Sequence, residues 1–246
     1  MNPFVLCAIF ARGGSKGVPR KNLRMLCDKP LIAYAVKMGL RARLIDQLIV
    51  STDDEEIAQV ARKCGAQVPF MRPAHLATDD SPELLSWKHA LKAYSEFFVH
   101  DVKVLLSLPP TSPLREVQDV EACLHKLLTT DADIVITVKE SERNPHFNMV
   151  TLDDQDNAQV VIPSKGAMTR RQDAPHVFDM TTVAYAARAD YVRKAKSLLE
   201  GKVKAVVIPR ERAWDIDTLL DFEIAEFLMQ RKGMTAQSEP LDILPA

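Results

Sequence analysis

Two stretches of this 246-residue chain carry residues whose type and spacing could do chemistry. The first is Arg12 to Asn22, RGGSKGVPRKN, which directly follows an apolar run. Gly13, Gly14 and Gly17 let backbone N–H groups approach an anion closely. Arg12, Lys16 and Lys21 put positive charge where such an anion collects. The spacing fits neither GxGxxG nor GxxxxGK followed by Ser or Thr. Taken alone, the run reads either as a phosphate grip or as a solvated basic turn. The second stretch is Asp215-Ile216-Asp217-Thr218. In an extended segment both carboxylates share one face and Ile216 points the other way. One or two carboxylates plus substrate phosphate oxygens suffice for Mg2+. Asp217 could instead cap the helix that follows, with Thr218 next, but a cap leaves Asp215 without a reason.

Other polar residues read more simply. Asp53-Asp54 looks like another acidic pair, yet it precedes a helical pattern, where negative charge is favoured at the N-terminus. His75, His89, His100, His125, His146 and His176 are scattered, with no carboxylate at motif spacing, and none is assigned to catalysis.

The elements that must position these residues alternate. Residues 4–11, 48–52, 102–108 and 134–138 read as buried strands, and residues 30–43, 55–64 and 117–128 as amphipathic helices. Ser81 is the expected cap of a further helix running to residue 98, with Pro82 and Glu83 in its first turn. Such alternation implies a mostly parallel sheet in a three-layer α/β/α, Rossmann-like arrangement. Ligands in these folds lie beyond the carboxyl ends of the strands, so residues 12–22, 52–54 and 109–115 should gather there. Beyond residue 140 the pattern changes. Residues 148–152 and 159–162 flank a polar turn and predict a β-hairpin. A strand over 178–187, a helix over 189–199, a strand over 203–208 and a helix over 219–231 follow. The expectation is one domain over 1–246, with an excursion at 140–180 that leaves the main sheet and returns.

Composition narrows the function classes. The apolar fraction is 47% and the charged fraction 26%, ordinary for a globular protein with a core. A net charge of −1 argues against broad nucleic-acid binding. Yet residues 1–43 hold nine Lys and Arg against one acid, Asp28, so the leading end is basic. No apolar run reaches the ~18 residues that span a bilayer. Met1-Asn2-Pro3 leads straight into a strand without a basic n-region, so no secretory leader is expected. The cysteines (Cys7, Cys27, Cys64 and Cys123) are far apart, without zinc-ligand spacing, as for reduced thiols in a cytoplasmic protein.

The run ARGGSKGVPRKN from Ala11 to Asn22 resembles the signature loop of the CMP-sialic acid synthetases, the acylneuraminate cytidylyltransferases. Further matches follow in the same order: KPLI from Lys29, VSTDD from Val50, RPAHLA from Arg72, PTSPLR from Pro110 and DIDT from Asp215. Together they cover residues 5 to about 226. The resemblance implies a nucleotide-diphospho-sugar transferase fold whose small β-rich extension serves dimerisation. It implies transfer of CMP from CTP to a nonulosonic acid, a sialic-acid-like sugar, with Mg2+ as cofactor. Lys16, Lys21, Asp215 and Asp217 are then the catalytic set, with Asp215 and Asp217 the metal ligands. Asp215 would also take the proton of the sugar hydroxyl. Arg12, Gly13, Gly14, Ser15, Lys16 and Lys21 hold phosphates, and Asn22 helps fix the nucleotide. Arg72 reads the cytosine edge, helped by the backbone near Ser81. Thr111, Ser112, Arg171, Gln172, Thr181 and Tyr185 face the sugar. Relatives of this type are homodimers whose excursion reaches over the neighbouring subunit, so Arg171 would serve the partner's site.

The departures from the family pattern cluster on the sugar side. Pro109 stands where many relatives have glutamine. Asp179 to Tyr185 reads DMTTVAY where they show RxNGAxY, and Phe147 replaces a lysine found in some members. Losing basic and amide groups while gaining Asp179 alters hydrogen bonding to the acceptor, at about 1–3 kcal/mol for each unpaired buried group. The expected acceptor is therefore other than plain N-acetylneuraminic acid, of legionaminic, pseudaminic or KDN type. Two alternatives stand beside this reading. One is a CMP-Kdo-type synthetase, whose loop carries arginine-leucine-proline where this chain has Lys16-Gly17-Val18-Pro19. The other is a catalytically silent nucleotide-binding homologue.

Overall fold

The computed structural model describes residues 3–163, 170 and 173–233. The chain opens with β1 (Val5–Phe10), followed by the loop and a two-stranded ribbon, β2 (Met25–Leu26) with β3 (Lys29–Pro30). Then come α1 (Leu31–Arg41), β4 (Gln47–Ser51), α2 (Glu55–Lys63), α3 (Glu83–Phe98), β5 (Val104–Ser107), α4 (Val117–Thr129) and β6 (Ile134–Glu140). The hairpin β7 (Val150–Leu152) and β8 (Ala158–Val160) follows as a separate antiparallel pair. The chain then runs through β9 (Phe178–Arg188), α5 (Ala189–Lys194), β10 (Val203–Val207) and α6 (Leu219–Arg231).

The main sheet has the order β10-β6-β9-β5-β1-β4. β1 pairs in parallel with β4 and β5, and β10 with β6, while β9 runs antiparallel between β5 and β6. The sheet is thus parallel except for one strand. Alternation along β1 sorts the core. Val5, Cys7 and Ile9 join the layer of α1, α2 and α4, and Leu6 and Ala8 join Trp87, Leu91 and Val192 from α3 and α5 on the other face.

Two helix boundaries differ from the sequence expectation. Ser81 does not cap α3: Pro82 holds the N-cap position with extended backbone, and the Ser81 hydroxyl is buried with no hydrogen-bond partner. The helix expected over 189–199 ends at Lys194. Ala195 turns extended, and the Tyr191 hydroxyl donates to the carbonyls of Ser197 and Leu198, holding the turn that replaces the last helical residues.

A third apolar cluster explains how the functional loops are held. Val18 from the glycine loop, Leu114 from PTSPLR and Ile216 from DIDT are each fully buried together with Leu26, Leu31 and Phe222 of the ribbon, α1 and α6. Burying an aliphatic side chain of this kind stabilises by about 1.5–3 kcal/mol. Three loops distant in sequence therefore share one anchor.

Candidate active site

The glycine loop follows the carboxyl end of β1, and its shape is set from within. The amide of Asn22 (Nδ2) donates to the carbonyl of Arg12 at 3.0 Å, closing the loop end to end, and Lys21 N donates to the carbonyl of Val18 at 3.1 Å. Arg20, with left-handed backbone, reaches across to Asp54 and Glu56. Asp54 is the N-cap of α2 and accepts from Ile57 N at 3.0 Å, as its position before the helix requires. Hydrogen bonding to Arg20 is the main reason its carboxyl lies below the usual range.

Lys21 joins the loop to the acidic segment. Its Nζ donates to the carbonyl of Ile216 at 2.6 Å and stands 3.4 Å from Asp217 Oδ1. The backbones also touch, because a Cβ on Gly17 would overlap the carbonyl oxygen of Asp217. Glycine is needed there for close approach. Ile216 N donates to the carbonyl of Thr111 at 3.0 Å, so PTSPLR shares the same junction. Just upstream, the Arg212 guanidinium binds the buried Asp119 carboxylate through Nε and Nη2 at 3.0 Å each, fixing the segment to α4.

The two acids are not equivalent. Asp217 is exposed, and Asp215 is partly buried with Oδ1 lacking any hydrogen-bond donor. Ile216 between them is buried, as alternation requires. Asp217 does not cap α6: Thr218 does, accepting from Asp221 N in a reciprocal capping box. Both acids are therefore free of the capping role. No three His, Cys, Asp or Glu side chains converge among the described residues. Two carboxylates, one with an unsatisfied oxygen, are the donor set that Mg2+ accepts when phosphate oxygens complete its shell.

Arg12 and Lys16 engage a different acid, Asp79. Arg12 Nη1 is 2.6 Å from Asp79 Oδ1, and Lys16 contacts the other oxygen of the same carboxylate. Close by, Arg72 is buried. Its Nη1 stands 3.4 Å from Ser86 Oγ, and its Nη2 is 3.6 Å from Asp53 Oδ1, while Nε and Nη2 have no hydrogen-bond acceptor. Asp53 Oδ1 also accepts from Gly13 N at 3.1 Å. A buried guanidinium with unused N–H groups and a buried Ser81 hydroxyl supply donors for a polar ring edge.

The third wall is built on β9. The pairing of β6 with β9 slips between Ile136 and Thr137, so residues 182–184 bulge. Thr181 is turned inward: it is buried, and its hydroxyl donates to Thr137 Oγ1 at 2.8 Å. Thr182 is the residue that stands with the other two, its Oγ1 2.7 Å from Ser112 Oγ and 3.2 Å from Thr111 Oγ1. Tyr185 is buried with its ring against Trp87, and burial pushes its phenol up. Arg171 and Gln172 lie outside the described residues.

Arg115 holds this wall in place. It is fully buried, donates from Nε to the carbonyl of Ser112 at 2.7 Å, and from Nη2 to the carbonyls of Pro109 and Thr182. Burial pushes its guanidinium down to about 10, so it stays charged, with Asp215 among the groups acting on it. Arg115 belongs to a quoted motif, but nothing in sequence marks it as buried. Asp79 carried no signal beyond being polar, and Thr182 only its place in the departure from the family's RxNGAxY run.

Fold and site together define a nucleotidyltransferase of the α/β type. The comparisons give the family: Cytidylyltransferase matches residues 6–234, and the chain belongs to it. It is 37% identical over 231 residues to a CMP-N,N'-diacetyllegionaminic acid synthase of Campylobacter jejuni, covering 94% of this chain and 97% of that protein. It is 34% identical over 233 residues to a post-translational flagellin modification protein B of Campylobacter coli, covering 95% and 98%. A solved CMP:2-keto-3-deoxy-manno-octonic acid synthetase complexed with CTP shares the fold at TM-score 0.69 and 18% identity, over 93% of this chain and 99% of that one. Among the described residues no helix is long and apolar enough to cross a membrane.

Proposed function

We propose that the protein transfers CMP from CTP to the anomeric hydroxyl of a nonulosonic acid. The sugar oxygen attacks the α-phosphorus, the bond from α-phosphorus to the bridging oxygen breaks, and pyrophosphate leaves with the electron pair. The observation that carries this reading is the junction of Gly17 and Lys21 with Asp217, which makes one site of a basic glycine loop and an acidic pair. Asp215 and Asp217 would hold Mg2+, which would supply positive charge against the charge that grows on the phosphates. Arg12, Ser15, Lys16 and Lys21, with the loop amides, bind the phosphates. Arg72 and the backbone near Ser81 orient the cytosine. In this reading Asp215 also takes the hydroxyl proton.

The acceptor is a legionaminic- or pseudaminic-type sugar in preference to N-acetylneuraminate. The threonine-lined wall supports this, as do the relatives named for legionaminic acid, at 37% identity, and for pseudaminic acid, at 31%. The octulosonate synthetase shares only the fold, and that alternative is not favoured. The working form is a homodimer through the excursion, where Met149, Val150, Leu152, Ile162, Phe178 and Met180 are exposed. The four free cysteines suit a cytoplasmic site of action. Pyrophosphate release with CTP and Mg2+, measured across a panel of nonulosonic acids with Asp217→Ala as control, tests the acceptor. Faster turnover of N-acetylneuraminate than of every other panel member would contradict it.

A further inference from the structure

The two leading cations of the glycine loop already hold an anion of this chain's own. Asp79 receives Arg12 on one carboxylate oxygen, at 2.6 Å, and Lys16 on the other. One carboxylate, both oxygens engaged by two cations four residues apart, imitates a phosphate bridging the same pair. Lys16 is otherwise a solvated side chain, 81% exposed, while Lys21 is committed to Ile216 and Asp217. A triphosphate reaching Arg12 and Lys16 would meet the Asp79 carboxylate at contact distance, where like charges repel.

Asp79 sits where it can move. It lies on an exposed segment between the short turn Ala74–Leu76 and α3, where the backbone bond from Ser81 N to the carbonyl of Thr78 is long, 3.4 Å. The segment ends at Ser81, whose buried hydroxyl has no hydrogen-bond partner.

We propose that Asp79 is a built-in competitor for the triphosphate, neutralising Arg12 and Lys16 between turnovers, yielding to CTP and returning to displace pyrophosphate. The inference rests on reading residues 12–22 as the phosphate grip. It makes wild-type affinity for phosphate chains weaker than the loop alone would give, and it speeds product release.

The test is calorimetric titration of the full chain with inorganic tripolyphosphate, pyrophosphate and cytidine. Asp79→Asn is expected to bind both inorganic anions about threefold to tenfold more tightly, the range two exposed ion pairs can supply, and cytidine unchanged. Asp79→Ser gives the same result by a different side chain. Product inhibition by pyrophosphate strengthens by the same factor, and added salt narrows the difference. Asp80→Asn is the control: it removes the same charge one residue on, where no ion pair is made among the described residues, and shifts anion binding less than twofold. Anion binding by Asp79→Asn that is weaker than, or within twofold of, wild type overturns the proposal. Binding of neither tripolyphosphate nor pyrophosphate by the wild-type chain overturns the phosphate-grip reading itself.

Discussion

Replacing Gly17 by alanine probes the junction on which the site depends. The added Cβ overlaps the carbonyl oxygen of Asp217, and no side-chain rotation relieves a clash with backbone. The two chains must part by about 1 Å to reach van der Waals contact. The acidic segment is pinned by the fully buried Ile216 and the loop by the fully buried Val18, in one cluster. Separation therefore strains both anchors and stretches the 2.6 Å bond from Lys21 to the Ile216 carbonyl. Overpacking of this kind costs about 1–3 kcal/mol, or roughly 2–12 °C in Tm for a chain this size. The effect on turnover is larger. A misplacement of about 1 Å at reacting groups costs on the order of 100-fold, equivalent to roughly 2.7 kcal/mol of transition-state stabilisation. The assay is pyrophosphate release at varied CTP with acceptor saturating, beside thermal unfolding of the same preparation. A Gly17→Ala enzyme that keeps wild-type kcat and CTP KM would refute the reasoning, because the loop and the acids would then not need their contact.

Three further perturbations separate the walls of the site. Thr182→Val removes the hydroxyl that meets Ser112 and Thr111 while keeping side-chain shape. Acceptor KM should rise about threefold to tenfold with CTP KM unchanged in initial-rate kinetics. Arg115→Met leaves the carbonyls of Pro109, Ser112 and Thr182 without their shared donor. It should cost about 3 kcal/mol, seen as a fall of roughly 6–12 °C in Tm. Asp54→Ala removes the α2 cap, at about 1 kcal/mol near pH 7. Because Asp54 is more acidic folded than unfolded, its contribution is present above about pH 4 and fades as pH falls through the lowered value. The Tm gap between variant and wild type should therefore close on acidification.

Much of the site could be read in sequence because its parts are loops at strand ends, and strand ends gather for topological reasons. β1, β4 and β5 are adjacent and parallel, so the loops carrying Lys21, Asp53 and Ser112 meet. The direction of β9 was hidden, since an apolar run reads alike in either sense and only the returning excursion reverses it. The choice between Thr181 and Thr182 was hidden for a related reason. A bulge decides which of two adjacent residues faces the site, and no residue type announces it. Ser81 before Pro82 carried a cap signal, but Pro82 is itself extended (φ −57°, ψ 133°), so the helix starts one residue later, at Glu83, and the cap position falls on the proline. No residue type marks Arg115 as buried among three backbone carbonyls, or Asp79 as the partner of two cations.

The most direct measurement is the product itself. The enzyme is incubated with CTP, Mg2+ and either a legionaminic- or a pseudaminic-type acid, and the mixture is resolved by anion exchange with mass detection. A CMP-sugar and pyrophosphate should appear in equal amounts, and both should vanish in the Asp215→Asn, Asp217→Asn double variant while its Tm stays near wild type. A CMP-sugar formed at an undiminished rate by that variant, or none formed by wild-type enzyme that binds CTP, would contradict the account.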